Sequence, residues 1–218
     1  SGPMKLYNYF RSSASFRVRI ALHLKGLPFD YVPVHLAKGE HKLPAYTAIS
    51  ADGLVPLLDD GQHQLSQSMA IIEYLDETHP TPALMPTDAL GRARVRALAQ
   101  SIACEIHPLN NLRVLKYLTK TLQVDEETKN TWYRHWVREG LEAFERQLAQ
   151  GPNGSYCYGN TPTLAESGIS GLVSANRFAL FVPAGVPAPV HARLSAALAA
   201  AVNADDAAQA FRKMGMSS

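Results

Sequence analysis

Apolar and polar residues alternate over Met4 to Tyr9 (MKLYNY), the period-two pattern of a strand. The next stretch, SASFRVRIALHLKG, spaces Phe16, Val18, Ile20, Ala21, Leu22 and Leu24 as a helix that stops at Gly26. Phe29 to Val34 (FDYVPV) reads as a second strand. Pro33 assigns it to a sheet edge, because proline has no N–H to give a central ladder. The chain therefore opens β-α-β, with one short helix as a right-handed crossover between parallel strands. GEHKLPAYTAIS is polar and irregular, with room for one helical turn. LVPLLDDGQHQLSQSMAIIEYLDETHP then reads as strand, turn at Asp60-Gly61, strand and helix. Ser66 is the expected N-cap of that helix, and Ile71, Ile72 and Leu75 form its apolar face.

His79 to Pro86 (HPTPALMP) holds three prolines in eight residues and ends the helix. Beyond it the period changes. Asp88 to about Thr119 is a long helical pattern with a kink expected at Pro108, and Asp125 to Gln150 is a second one. After the loop GPNGSYCYGNTP, Thr163 to Glu166 (TLAE) is a capping-box pattern that opens a further helix. The expected organisation is an α/β domain over residues 4–83 and a helical domain over 84–218. Ser1-Gly2-Pro3 reads as a cloning remnant ahead of Met4.

Composition narrows the function classes. Hydrophobic residues make up 46% of the 218, enough for a proper core, and the formal net charge is +2. No dense Lys/Arg block occurs, so the electrostatic footprint of a nucleic-acid binder is missing. No apolar run reaches the length of a membrane span, and no secretory leader pattern is visible. Cys104 and Cys157 are the only cysteines, which suits a reducing cytoplasm rather than a disulfide framework. Neither cysteine lies in a CxxC pair and the eight histidines show no HExxH spacing, so no metal site is expected.

Three short stretches carry chemistry. In RSSASFRVRIAL, Ser12, Ser13 and Ser15 stand where a strand ends and a helix begins. Free N–H groups and the positive end of the dipole make that place suitable for an anion, including a thiolate. A thiol with an ordinary pKa of ~8.5 is mostly protonated at neutral pH, and a helix N-terminus lowers that value. In GLVPLL, a Val55-Pro56 bond precedes a strand; if cis, it turns backbone groups outward where an extended peptide can pair. In LSQSMAII, Gln67 and Ser68 open a second helix, where N–H groups and a hydroxyl suit a carboxylate. Taken singly, capping and an ordinary trans proline explain these residues as well as ligand binding does.

Their order is more specific than any one of them. A serine-headed first helix, Val-Pro before the third strand and a Gln-Ser helix start resemble the N-terminal domain of glutathione transferases. SSASFRVRIAL is similar to the zeta-class signature Ser-Ser-Cys-x-Trp/Tyr-Arg-Val-Arg-Ile-Ala-Leu, with Ala14 in place of the cysteine and Phe16 in place of the larger aromatic. QSMAIIEYL and HPLNNLRVLKYL also resemble zeta-class segments, most of all those of its bacterial maleylpyruvate isomerases; maleylacetoacetate isomerases belong to the same class. The resemblance implies a thioredoxin-like α/β N-terminal domain plus an all-α C-terminal domain. It implies a glutathione-dependent cis–trans isomerase of a small dicarboxylate in aromatic degradation, acting as a homodimer, with glutathione as a cofactor that is not consumed. By motif, Ser12 is the hydroxyl that stabilises the glutathione thiolate, with Ser13 and Arg17 nearby. His41 is a polar glutathione contact, Val55 pairs its backbone with the tripeptide, and Gln67 and Ser68 grip the γ-glutamyl carboxylate. His107, Asn111 and Arg113 line the cleft from the helical domain. Arg11, Arg113 and Arg177 are the cations expected to meet the substrate carboxylates and developing enolate charge; each is otherwise a solvated surface charge. The alternatives are a glutathione transferase conjugating α-halo acids or other electrophiles, and a non-catalytic interaction module or engineered chimera.

The last alternative rests on the tail. From about Thr163 the sequence departs from the family, and LFVPAGVPAPVHARLSAAL resembles the C-terminal part of periplasmic solute-binding proteins of the tripartite-tricarboxylate type. Gly168 and Gly171 weaken the helix after the capping box, by roughly 1 kcal/mol each relative to Ala.

Overall fold

A computed structural model describes residues 2–151, 154 and 156–171 of the chain. Four strands form one mixed sheet in the order β2-β1-β3-β4, with β1 over Met4–Asn8, β2 over Phe29–Pro33, β3 over Leu57–Asp59 and β4 over Gln64–Ser66. β1 and β2 run parallel, with Asn8 opposite Pro33; Pro33 thus lies on an edge strand, as the sequence requires. β3 runs antiparallel to both β1 and β4, with Tyr7 opposite Leu57 and Leu57 opposite Ser66. β4 is therefore parallel to β1.

The crossover helix α1 spans Ser13–Leu24, and Gly26 at φ +64° turns the chain out of it. Ser15 through Leu22 are all buried, because α1 has the sheet and the helix over Ser68–Thr78 (α3) on one side and a later helix, over Leu164–Gly171 (α8), on another. Two arginines are drawn in with it. Arg19 donates to Asn8 Oδ1 at 2.5 Å and lies over the rings of Phe16 and Tyr31. α2 is the single turn Pro44–Thr47, preceded by two 3₁₀ turns at 36–38 and 40–42. α3 spans Ser68–Thr78 and buries Ile71, Ile72 and Leu75. Ser66 does not cap it: that residue is paired with Leu57 in the ladder, and Gln67 takes the N-cap position.

The proline-rich segment after α3 is anchored. The Lys25 ammonium, fully buried, reaches Asp76 Oδ1 (2.7 Å) and the carbonyls of His79 (2.7 Å) and Pro82 (2.8 Å). Asp76 also accepts from Leu84 N–H at 2.7 Å, and Leu84 and Met85 enter the core. The helical part begins with α4, Ala89–Ala103, capped by Asp88. The long helix expected through Thr119 is instead three pieces: α4, then α5 (His107–Asn110) and α6 (Leu112–Lys116), the last running into a π turn at 117–121. Pro108 begins a short helix rather than kinking a long one, which suits proline's missing N–H. α7 covers Glu126–Ala149 between Asp125 and Gln150.

α8, Leu164–Gly171, forms despite its glycines because it is packed against α1 and α4. Its capping box is made as expected: Glu166 accepts from Thr163 N–H (2.6 Å) and Oγ1 (2.8 Å), and Thr163 Oγ1 accepts from Ala165 N–H. Leu6, Val18, Leu22, Ile71, Val95, Leu98, Ile102 and Leu164 belong to one continuous core, so sheet and helices share their apolar filling. The likeness of the tail to periplasmic binding proteins gains no support: its first residues, Thr163 to Ser167, are buried in this core, and the rest lies outside the described residues.

Candidate active site

The register brings the candidate residues to one edge of the sheet. β1 ends at Asn8 and feeds α1; β4, parallel to it, ends at Ser66 and feeds α3; β3 begins there at Leu57. The N-termini of α1 and α3 and the Val55-Pro56 turn therefore share that edge, with β3 between the two helix-bearing strands. The segment after β2, which carries His41, also leaves from this edge.

Ser12 is the N-cap of α1. Its Oγ accepts from Ser15 N–H at 3.1 Å, which leaves the hydroxyl proton to be donated elsewhere. Capping and ligand binding are thus compatible uses of one side chain. Ser13 is joined across the domains to His107 Nδ1 at 2.6 Å. Ser15 is internal, its Oγ accepting from Tyr9 N–H. The Val55-Pro56 bond is cis, and Val55 lies two residues ahead of the first paired residue of β3, outside the ladder. Gln67 adopts φ +69°, a costly conformation for a side chain with a Cβ, and its own side chain makes no capping bond. Ser68 is buried at the first position of α3, where its Oγ accepts from Arg17 at 3.0 Å.

Positive charge surrounds this edge. Arg17 is only 2% exposed, and burial lowers its pKa to about 10, so it stays protonated at neutral pH. His107 is pushed down to about 4, chiefly by burial and then by the charges of Arg17 and Arg113, and is neutral near pH 7. His41 is lowered by burial and by Lys42 and Lys116, and its Nδ1 is buried without a partner among the described residues. Arg113 lies exposed on α6. Arg11 is exposed in the β1–α1 turn, 5.3 Å from the Phe10 ring centre. Asn111 uses its Oδ1 to cap α6 at Val114 N–H, leaving its amide N–H groups as donors. Arg177 lies outside the described residues.

Two groups went unread in the sequence. Lys116, in the helical domain, adds its charge to those that lower His41; its spacing of three from Arg113 on α6 was the available signal, since such residues share a helix face. Tyr9 is buried at the foot of α1 with its hydroxyl pKa raised by burial and lowered by Arg11, and nothing in its sequence surroundings marks it. Cys157 is inert: burial first, and then Glu166, holds its thiol well above the ordinary range.

A thioredoxin-like sheet with two helix N-termini and a Val-Pro turn on one edge, followed by a helical domain, defines the glutathione transferase class. The comparisons agree. Residues 2–77 match the family model "Glutathione S-transferase, N-terminal domain". The chain is 52% identical over 177 residues to the maleylpyruvate isomerase of a Ralstonia species, covering 80% of this chain and 84% of that protein. It superimposes on a solved maleylpyruvate isomerase, described as a bacterial glutathione S-transferase in zeta class, with TM-score 0.81, 46% identity and coverage of 90% and 95% of the two chains. A maleylacetoacetate isomerase from Methylobacterium extorquens AM1, solved with bound malonate and glutathione, gives TM-score 0.79 and 32% identity over 98% and 100% of the chains. The chain belongs to the zeta-class glutathione transferases, in the family of maleylpyruvate and maleylacetoacetate isomerases.

Proposed function

We propose that this protein is a glutathione-dependent isomerase that converts a maleyl keto-acid, maleylpyruvate or maleylacetoacetate, to its trans (fumaryl) isomer. One observation carries the reading: the strand register gathers Ser12, Val55, Gln67 and Ser68 on a single sheet edge, with His107 reaching Ser13 from the helical domain.

Those residues fit glutathione. Helix N-termini at Ser12 and Ser68 offer N–H groups to anions, the strand-like entrance at Val55 offers peptide hydrogen bonds, and His41 Nδ1 and two Arg17 nitrogens are buried polar atoms without partners among the described residues. Gln67 and Ser68 hold the γ-glutamyl carboxylate, Val55 the cysteinyl backbone, and His41 a further polar group of the tripeptide. When bound, glutathione supplies a thiolate that adds reversibly to an activated carbon–carbon double bond, and rotation about the single bond so formed exchanges cis for trans.

The protein's part is electrostatic. The Ser12 hydroxyl donates to the thiolate, and the α1 dipole adds to it, so the sulfur is ionised at neutral pH. Arg11 and Arg113 orient the substrate carboxylates and meet the negative charge that develops on the substrate oxygen. His107 is neutral and bonded to Ser13, so it acts as a polar wall and a hydrogen-bonding group rather than as a cation. Cys104 and Cys157 are both free thiols, which suits a reducing compartment. We also propose an isologous homodimer, the commonest arrangement of soluble oligomers, which sedimentation velocity would check.

Maleylpyruvate absorbance followed with and without glutathione tests the function. Loss of the cis substrate only when glutathione is present supports it. A stoichiometric glutathione adduct would point to conjugation instead, and glutathione binding without turnover to an interaction module.

A further inference from the structure

Among the described residues, Arg17 is a buried cation without a counter-charge. It sits within α1 and forms no ion pair among the described residues. One terminal nitrogen donates to Ser68 Oγ at 3.0 Å, while Nε and the other terminal nitrogen have no hydrogen-bond partner there. Ser68 on α3 bonds to Arg17, Cys104 at the end of α4 and His107 on α5 interact with its charge, and none of the three is a carboxylate. Burying an unpaired ion is unfavourable, and an apolar residue of similar volume in such a place is often neutral or stabilising. A side chain kept at that cost asks for a use in the liganded state. The Ser68 contact supplies one: because Ser68 Oγ accepts from Arg17, its own O–H is the group left to donate to a bound carboxylate.

We infer that Arg17 is the positioning residue of the glutathione site: it fixes Ser68 from behind and holds the buried charge that an arriving anion neutralises. This rests on the reading that glutathione binds at this sheet edge. The residue acts through Ser68 and through its field, one layer behind the contact surface. The same charge also lowers the pKa of His107, which is bonded to Ser13 at the head of α1.

The test compares the wild type with R17M and R17K by thermal unfolding, with and without glutathione, and by glutathione KM and kcat. R17M is expected to unfold at the same temperature as the wild type, or higher, without ligand. Its glutathione KM rises about ten-fold or more, as the charge-assisted bond that fixes Ser68 is lost, and its glutathione-induced stabilisation shrinks. At saturating glutathione its kcat stays within about three-fold, the pattern of lost binding rather than lost chemistry. R17K keeps the charge and lies nearer the wild type. An R17M that unfolds earlier, fails to fold or keeps the wild-type KM overturns the inference, and an R17K as weak as R17M overturns the role of the charge. Failure of the wild type to bind glutathione would overturn the underlying reading instead.

Discussion

Replacing Ser12 by alanine separates its two roles. As the N-cap of α1, Ser12 accepts one hydrogen bond, from Ser15 N–H at 3.1 Å, and losing a cap costs about 1 kcal/mol of stability. As the thiolate's donor, it makes a hydrogen bond to a charged group, which contributes about 1.5–3 kcal/mol. At about 1.4 kcal/mol for each pH unit, the second loss raises the pKa of the bound thiol by about one to two pH units. The sign is fixed: without the donor the neutral thiol is favoured, so the thiolate forms only at higher pH. Turnover near neutrality is therefore expected to fall about 10- to 100-fold in S12A, and the deficit to close as pH rises past the new pKa. A pH–rate profile at saturating glutathione, beside the ultraviolet absorbance of the thiolate, reads this directly. S12T keeps both hydrogen bonds and should remain close to the wild type. A deficit of equal size at every pH, or none, would refute the assigned role; so would an S12A whose whole loss is explained by unfolding.

Three further outcomes are expected. His107 has a pKa of about 4 in the folded protein against an ordinary 6.5, so the unfolded chain binds more protons between those values. Its contribution, up to about 3 kcal/mol, is present above pH ~6.5 and lost as pH falls toward 4; urea unfolding across that window should slope less steeply for H107N than for the wild type. Lys25→Met leaves Asp76 buried beside Leu84 N–H without its cation, and chemical denaturation should show a loss of about 3–5 kcal/mol; a loss under about 1 kcal/mol would mean the anchored proline segment is held by something else. Gly140→Ala would drive a methyl into Ile106 Cγ1, a fully buried side chain, and should destabilise by about 1–3 kcal/mol, with part of the loss recovered in the double variant with Ile106→Val.

The elements that sequence reading placed well are those set by local rules. α1 could be bounded from its serines and Gly26, the β2 edge from Pro33, the β3–β4 hairpin from Asp60-Gly61, and α8 from the Thr163–Glu166 box, each a matter of backbone conformation or a nearby hydrogen bond. Where tertiary pairing competes with a local preference, the reading slipped. Ser66 is a good N-cap residue, but its backbone is claimed by Leu57 across the ladder, and the cap passes to Gln67 in a conformation no propensity scale favours. The α4–α6 region carries continuous helical periodicity, yet it breaks after Ala103 so that His107 can reach Ser13, a contact between residues far apart in the chain. The site shows the same division. Ser12, Val55, Gln67 and Ser68 lie at junctions that motifs can locate, whereas the burial of Arg17 behind Ser68 depends on how α1 and α3 pack, and the effect of the Lys116 charge on His41 depends on the helical domain.

Sulfur chemistry at this sheet edge is expected to be catalytic in glutathione. Purified protein, excess maleylpyruvate and a sub-stoichiometric amount of glutathione, followed by proton NMR with parallel assay of free thiol, tests it most directly. Many turnovers to the trans isomer with free glutathione undiminished is the predicted result. An unchanged cis substrate, or product limited to the glutathione supplied, would contradict it.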